Sequence, residues 1–271
     1  MLLSRAFELG LAVMAAATTG VAACFGLCAP KAQAFFIQNH QSITGAALPQ
    51  IPNDVMQQIL VGPPPGAGAV GTDAFFGDNY RHLDNAKNPT DMCALAEQAW
   101  TTFAPIILNG SHVVGGGLAD GPGARAAFGG LIHVQQDFYA HSNFVEDNVA
   151  AGNPNQLAPQ IFPTCNPDGL PPDLHTGYFE ISANHEDPFS GCPAGGPPPG
   201  FQECHSTLNK DGPNTLRGIQ PAAGTSGNLY DLAAQLATVA TTNLYNQIRG
   251  QVASTNGESA AQLLFGSGGA T

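Results

Sequence analysis

The chain has 271 residues, of which 43% are hydrophobic, so it can bury a core and has the length of one or two domains. Only 10% of the residues are charged, while Gly (33) and Pro (22) are abundant, so the surface consists mainly of small and neutral side chains. The net charge of −12 excludes the positive field on which groove-reading binders of double-stranded nucleic acid depend. The ordinary hydrophobic content also argues against disorder.

Residues 1–34 have the features of an export signal. Arg5 supplies a positive start, residues 9–23 form an apolar stretch, and Ala32–Ala34 is a small-x-small cleavage site. The apolar stretch is shorter than the ~20 residues that a bilayer requires. We therefore expect a secreted, periplasmic or cell-envelope protein, with lipid attachment at Cys24 as the alternative.

Hydrophobic periodicity predicts four helices in the rest of the chain. They are expected at about 52–60, from about 89 onward, at 123–149 and at about 229–252. Sustained strand alternation is missing, so we predict a mainly α protein. Residues 35–256 would form one helical domain with a long Pro/Gly-rich insertion at about 151–225, and residues 257–271 a flexible tail.

Cleavage after Ala34 would leave 6 basic and 19 acidic residues, a charge of −13, and four cysteines. An even number of cysteines in an exported chain predicts two disulfides. Cys192–Cys204 would staple the insertion, and Cys93–Cys165 would tie it to the helical body, although three pairings remain open. A thiolate zinc site is disfavoured because the chain contains no Cys-x-x-Cys pair.

The most informative segment runs from Gly130 to Asn143. His133, Asp137 and His141 recur every four residues, and each such step advances about 40° around a helix, so all three project from one stripe. Apolar neighbours indicate that this stripe is buried, and ligation of a metal would offset the cost of burying these groups. A hydrogen-bonded Asp–His pair in the core is the alternative interpretation.

Two earlier segments carry further candidate ligands. His40 lies five residues after Phe35, whose α-amine would be free after cleavage and can then bind zinc. Asp73 precedes His82 and Asp84, which form an acidic and imidazole cluster before a helix. Taken alone, His40 would be interpreted as a surface histidine, and the segment from Asp73 to Asp84 as a polar turn.

Taken together and in this order, these motifs resemble the heterokaryon-incompatibility C (Het-C) family. That family is related to the zinc-dependent phospholipases C and to single-strand-specific zinc nucleases. The resemblance extends to Cys204–Asp211 and to the Ala-rich last helix at 233–241, and so covers most of the mature chain.

The resemblance implies a helical bundle of the phospholipase C type that holds two or three zinc ions. One zinc would be held by Asp73, His82, His133 and Asp137, and a second by Phe35, His40 and the bridging Asp137. His141 would anchor a third. The family's later His-x-x-x-Asp or His-x-x-x-Glu pair is missing here after His141, so His205 with Asp211 or Asp231 is the expected substitute.

The resemblance further implies a catalytic role for Asp137, and Asp84 is expected to orient a ligating imidazole. Neither His112, His175 nor His185 lies in a motif. Three functions follow: hydrolysis of phospholipid or another phosphodiester with peripheral membrane contact, cleavage of single-stranded nucleic acid, or a non-catalytic, metal-stabilised interaction or toxin domain.

Overall fold

One long helix, α6 (Gly121–His141), forms the interior of the protein in the computed structural model, which describes residues 37–180, 192–193 and 195–266. Every residue of α6 from Ala126 to His141 is buried. The other helices of the described residues are α1 (Ile37–Ala47), α2 (Asn53–Leu60), α3 (Gly68–Gly71), α4 (Asn79–His82), α5 (Pro89–Gly110), α7 (Phe144–Ala150), α8 (His205–Leu208), α9 (Leu229–Asn256) and α10 (Glu258–Phe265).

Helices α2, α3, α4, α5 and α9 all pack against α6, which explains why α6 is buried around most of its circumference. A short antiparallel hairpin, β1 (Val113–Val114) with β2 (Gly117–Leu118), joins α5 to α6 and pairs Val113 with Leu118. The protein is mainly helical, as the sequence predicts. None of the described helices combines the length and apolar character needed to cross a bilayer.

Local sequence explains where α5 and α9, the two longest described helices, begin. The Asn88 side chain accepts the Asp91 N–H at 3.0 Å and so caps α5, which has Pro89 in its first turn. Asn228 and Asp231 form a reciprocal capping box at the start of α9. Both starts agree with the predicted positions because a cap depends only on neighbouring residues.

The predicted helix at 123–149 is wrong as a single element. It is interrupted at Ser142, whose backbone is extended, and α7 starts afresh at Phe144. The Asn143 side chain accepts the His175 N–H at 2.8 Å and donates to the Asp173 carbonyl at 3.2 Å. Contacts with the distant insertion thus stop the helix, and no local pattern could have shown this.

Two further differences concern the ends of the domain. Helix α1 (Ile37–Ala47) was not among the predicted helices. The expectation of a flexible tail after residue 256 is wrong for α10, because Ala260, Ala261, Leu264 and Phe265 are buried against the core. Residues 267–271 lie outside the described part of the chain.

The described cysteines form two disulfides, Cys93–Cys165 and Cys192–Cys204, with Cα–Cα distances of 5.1 and 5.6 Å. These are the two pairings that tie the insertion to α5 and staple its end next to α8. Both bonds fit an oxidising compartment. The predicted export signal, residues 1–34, lies outside the described part of the chain.

Gly129 allows α6 to approach α2 and α3 closely. A Cβ at this position would lie 1.9 Å from the Ile59 carbonyl oxygen and 2.7 Å from the Ala69 backbone nitrogen. Because both neighbours are backbone atoms, they cannot move aside as a flexible side chain would. This contact brings the backbone of α3 next to His133.

Substituting Gly129→Ala should therefore destabilise the protein by about 1–3 kcal/mol, as overpacking does, measured by urea unfolding. Gly45→Ala is the matched control, because Gly45 is also helical and its Cβ would meet nothing within 4 Å. The control should be neutral or stabilising by about 1 kcal/mol. Equal stability of the two variants would contradict the proposed close approach.

Candidate metal centre

Asp137 is fully buried, and its two carboxylate oxygens face different imidazoles. Oδ2 is 2.9 Å from His133 Nε2 and 3.2 Å from His82 Nδ1. Oδ1 is 3.3 Å from His40 Nε2 and 3.9 Å from His141 Nε2. One carboxylate thus faces two separate pairs of imidazole nitrogens, the arrangement of a ligand that bridges two cations.

Backbone carbonyls orient two of these imidazoles. His133 Nδ1 lies 2.8 Å from the Ala69 carbonyl oxygen, and His141 Nδ1 lies 2.9 Å from the His82 carbonyl oxygen. Since a carbonyl only accepts, Nδ1 carries the proton in both rings. The Nε2 atoms that face Asp137 are therefore the nitrogens available for a metal.

A side-chain amide orients His40 in the same way. Gln136 donates through Nε2 to Thr44 Oγ1 at 3.0 Å and to Thr241 Oγ1 at 3.2 Å. Its Oε1 therefore accepts from His40 Nδ1 at 2.6 Å. His40 thus also directs Nε2 towards Asp137.

A second group of ligands lies at the C-terminal end of α6. His141 Nε2 is 3.0 Å from Asp211 Oδ1, and His205 Nε2 is 3.6 Å from Asp211 Oδ2. On the other side, Asp84 Oδ1 is 3.0 Å from His205 Nδ1 and 3.5 Å from His141 Nδ1. The Cys192–Cys204 disulfide immediately precedes His205 and anchors it in this position.

Asp73 has the environment of a ligand that needs a cation. It is 3% exposed, and neither carboxylate oxygen accepts a hydrogen bond from the described residues. Its Oδ1 lies 3.8 Å from His133 Nε2. Burial raises the pKa of Asp73 to about 7, opposed by His40 and reinforced by Asp137. A buried carboxylate with so few partners is costly unless a cation neutralises it.

The electrostatics of the centre follow from imidazoles and carboxylates buried together. Burial disfavours ionisation of Asp137, but His133, His141 and His40 outweigh it and hold the pKa of Asp137 well below its usual range. Burial also disfavours the charged form of His141, yet Asp137 and Asp211 raise its pKa well above the ordinary value. Without a cation, the carboxylates thus favour the protonated form of His141, whereas burial lowers the pKa of His133 to about 4.

We call the nine buried side chains of this centre the His/Asp cluster. None is more than 5% exposed. Its members are His40, Asp73, His82, Asp84, His133, Asp137, His141, His205 and Asp211.

The donor atoms of the cluster fit a metal ion. Three sets of three donors each lie within 4.8 Å of one another: His40 with His133 and Asp137, Asp73 with His82 and His133, and Asp84 with His141 and His205. In a tetrahedral site with bonds of about 2.0–2.1 Å, neighbouring ligand atoms are about 3.3 Å apart. The shorter donor distances around Asp137, from 2.9 to 3.3 Å, lie close to this value. These buried groups can hold a metal ion.

The structure brings together every predicted ligand that it describes, and the expected outer residue Asp84 as well. Phe35 lies outside the described residues. Asp211 is the carboxylate beside His205, whereas the alternative, Asp231, caps α9 through its contact with the Asn228 N–H. His112 and His175 are not among the three candidate ligand sets, and His185 lies outside the described residues.

The sequence did not predict the groups that hold the ligands in place. Gln136 and the carbonyls of Ala69 and His82 were missed, although a buried glutamine beside Asp137 was a usable signal. Backbone carbonyls leave no signal in the sequence. Their role depends on how α3 and α4 pack against α6.

Lys210 is a further residue that sequence reasoning missed. Its side chain is fully buried, and Nζ donates to the Ser142 carbonyl at 2.8 Å and to Glu146 Oε1 at 3.0 Å. Burial lowers the pKa of Lys210, against the attraction of Glu146. Lys210 thus joins the end of α6 and helix α7 to the segment that carries Asp211.

Lys210→Met should destabilise the protein by about 3 kcal/mol or more, because it removes a buried ammonium group. Among the described residues, Glu146 would keep only the longer contact with Arg217 Nη1 at 3.5 Å, and the buried Ser142 carbonyl would lose its donor. Urea unfolding measures the change. Lys87→Met is the control, since Lys87 is exposed and its Nζ only lies over the Phe201 ring. That variant should lose about 1 kcal/mol or less. Similar losses in both would show that Lys210 contributes no more than a surface lysine.

The stability of the metal-free protein should fall as pH rises from 6.5 to about 9. Burial opposes the raised pKa of His205, but Asp84 drives it from 6.5 to about 9. A group whose pKa is raised on folding stabilises the fold below its unfolded pKa and loses that effect as pH passes its folded pKa. Metal-loaded protein should instead gain stability over this range, because protons then compete less for the imidazoles.

Thermal melts of chelated and metal-loaded samples between pH 6 and 9 measure this divergence. Parallel pH profiles for the two samples would show that the ligated groups do not exchange protons for metal.

Comparison with protein-family models, with curated proteins and with solved structures finds no match for the chain. The resemblance to the Het-C family therefore stays a prediction from motifs. The chemistry of the centre has to be argued from its donor atoms and their arrangement.

Proposed function

We propose that the protein is a secreted zinc-dependent phosphodiesterase that hydrolyses phospholipid head groups in the manner of a phospholipase C. The observation that carries the proposal is the shared carboxylate of Asp137, which faces imidazoles on both of its oxygens. Two metals about 4 Å apart can stabilise both the attacking and the leaving oxygen of a phosphodiester, and a carboxylate shared by two ions would hold them close together.

The type of donor supports zinc in a catalytic setting. All nine members of the His/Asp cluster offer nitrogen or oxygen, and the four described cysteines are engaged in disulfides. Structural zinc sites are usually closed by cysteine, whereas hydrolytic sites use histidine and carboxylate and keep a position open. When bound, zinc supplies a water that ionises near neutral pH and neutralises charge on the phosphodiester oxygens.

The charge of the cluster supports more than one ion. With neutral imidazoles, Asp73, Asp84, Asp137 and Asp211 carry four negative charges, which two divalent ions offset. A third ion beside His141, His205 and Asp211 would leave the centre positive and suited to a phosphodiester anion. Asp84 acts as a positioning residue here, because its Oδ1 contacts the Nδ1 atoms of His205 and His141.

A lipid substrate is favoured over nucleic acid by the surface near the centre. Leu216 and Ile219 are 69% and 59% exposed on the loop that follows Asp211. Thr215 Oγ1 donates to the carbonyls of Asn209 and Gly212 and ties this loop to the Asp211 segment. Exposed apolar side chains suit a lipid interface, while the strong negative charge of the chain repels a polyanion.

A second candidate is a non-catalytic domain in which the metal is structural. The near-complete burial of the His/Asp cluster favours it, because a substrate needs access to the metal. Both candidates bind metal, but only the phosphodiesterase hydrolyses a substrate.

The test uses the mature chain with its native N-terminus, loaded with zinc and assayed for release of phosphocholine from phosphatidylcholine vesicles. We expect two or three zinc ions per chain and turnover that a chelator abolishes. Asp137→Asn should lower the rate by more than about 100-fold, because the bridging charge is lost. Asp168→Asn is the control, since Asp168 is exposed and lies outside the ligand sets.

Bound zinc without release of phosphocholine would contradict the phospholipase proposal and select the structural role. Digestion of single-stranded DNA by the same sample would instead select the nuclease. An equal loss of rate in Asp168→Asn would show that the effect of Asp137→Asn is not specific to the centre.

A further inference from the structure

A cavity of about 360 Å³ lies on the side of α6 away from the His/Asp cluster. Residues of α6, of α9 and of the segment 157–162 form its walls, and it is partly open to solvent. Gln135 lines this cavity, whereas the next residue, Gln136, contacts His40 of the cluster. We call this space the amide cavity.

The polar side chains of described residues that line the amide cavity are all uncharged. They include the carboxamides of Gln135, Gln160, Asn243 and Gln247 and the hydroxyl of Tyr139, and none of the described Asp, Glu, Lys, Arg or His residues lines the cavity. A charged ligand would lose its hydration here without gaining an ionic partner. Phosphates, nucleotides and free amino acids are thus disfavoured.

Several of these polar groups retain hydrogen-bonding capacity. Gln135 is 8% exposed, and its carboxamide, which lines the cavity, makes no hydrogen bond to any described residue. Gln160 Nε2 donates to Gln247 Oε1 at 2.6 Å, while Gln247 Nε2 is buried and has no acceptor among the described residues. A buried amide without a partner is costly, so a ligand that supplies acceptors and donors would relieve this cost.

Tyr139 adds a donor. Its oxygen accepts the Ala158 N–H at 3.2 Å, which leaves the phenolic proton free to be donated. Burial raises the pKa of Tyr139 to about 12, so the hydroxyl keeps its proton at physiological pH. Leu157, Pro159 and Leu244 supply the apolar part of the wall.

We propose that the amide cavity binds a neutral saccharide of one or two rings. Each carboxamide both donates and accepts, which matches hydroxyl groups that do the same. The apolar wall matches the C–H faces of a sugar ring, and the volume lies at the lower end of the range of small-molecule pockets. A purely apolar ligand would leave the amides unpaired and is disfavoured. This site goes beyond the proposed phosphodiesterase and needs no metal.

Saturation-transfer NMR on the full mature chain tests the proposal with glucose, galactose, mannose, maltose and cellobiose. Glucuronate and glucose 6-phosphate are the charged probes, and octanol is the apolar probe. We expect at least one neutral sugar to bind at millimolar concentration, at least ten-fold more tightly than its charged analogue or octanol. Methyl glycosides of that sugar distinguish a free sugar from the end of a glycan, and binding of either form supports the proposal.

Gln135→Leu and Gln247→Leu should each weaken sugar binding at least ten-fold. Gln235→Leu, an exposed glutamine on α9 outside the cavity, should leave it unchanged. Thermal melts verify that each variant is folded, and two cavity variants are used in case one fails to fold. Binding should persist after chelation, which separates this site from the metal centre. No binding by any neutral sugar, preference for a charged or apolar probe, or unchanged binding in the folded cavity variants would overturn the proposal.

Discussion

The burial of one carboxylate, Asp137, among imidazoles is the constraint on which the rest of the structure depends. An ion inside a helical core must be neutralised, and here His40, His82, His133 and His141 approach it from two sides. These imidazoles come from α1, α4 and α6, so satisfying one charge fixes three helices relative to one another. The neutralisation of Asp137 therefore determines both the packing of these helices and the geometry of the centre.

Hydrogen bonds to groups outside the His/Asp cluster fix the orientation of its imidazole rings. Three imidazoles use Nδ1 for Ala69, His82 and Gln136, and so present Nε2 inward. A hydrogen-bonded Asp–His pair in the core would require only one imidazole. Here several imidazoles present Nε2 to the same centre, and further carboxylates lie beside them. The arrangement instead matches the way proteins prepare histidines for a metal.

Helix α6 serves two chemically different sides of the molecule. One face carries His133, Asp137 and His141 and is rich in ionisable groups, while Gln135 and Tyr139 on another face line a neutral cavity. The division follows from the helical period, because residues two apart point in roughly opposite directions. A fully buried helix can therefore separate a site for cations from a space suited to uncharged polar ligands.

The elements that sequence reasoning predicted well are those with a local cause. Helices α5 and α9 start close to the predicted positions, where Asn88 and Asn228 cap them, and the four-residue spacing of His133, Asp137 and His141 placed these three residues on one face. The elements that it missed have a distant cause. Helix α6 ends at His141 because Asn143 bonds to the insertion, and α10 is ordered because its apolar face meets the core.

By itself, the sequence determined the helical class, the ligand types and the spacing along α6, since composition and periodicity act over a few residues. Only the tertiary structure decided that Asp211, and not Asp231, is the carboxylate beside His205 and His141, and that Ala69, Gln136 and Lys210 hold the ligands and their segments in place. These contacts join residues that are far apart in the chain. They form only when packing, the disulfides and the burial of charge act together, and no local pattern encodes that combination.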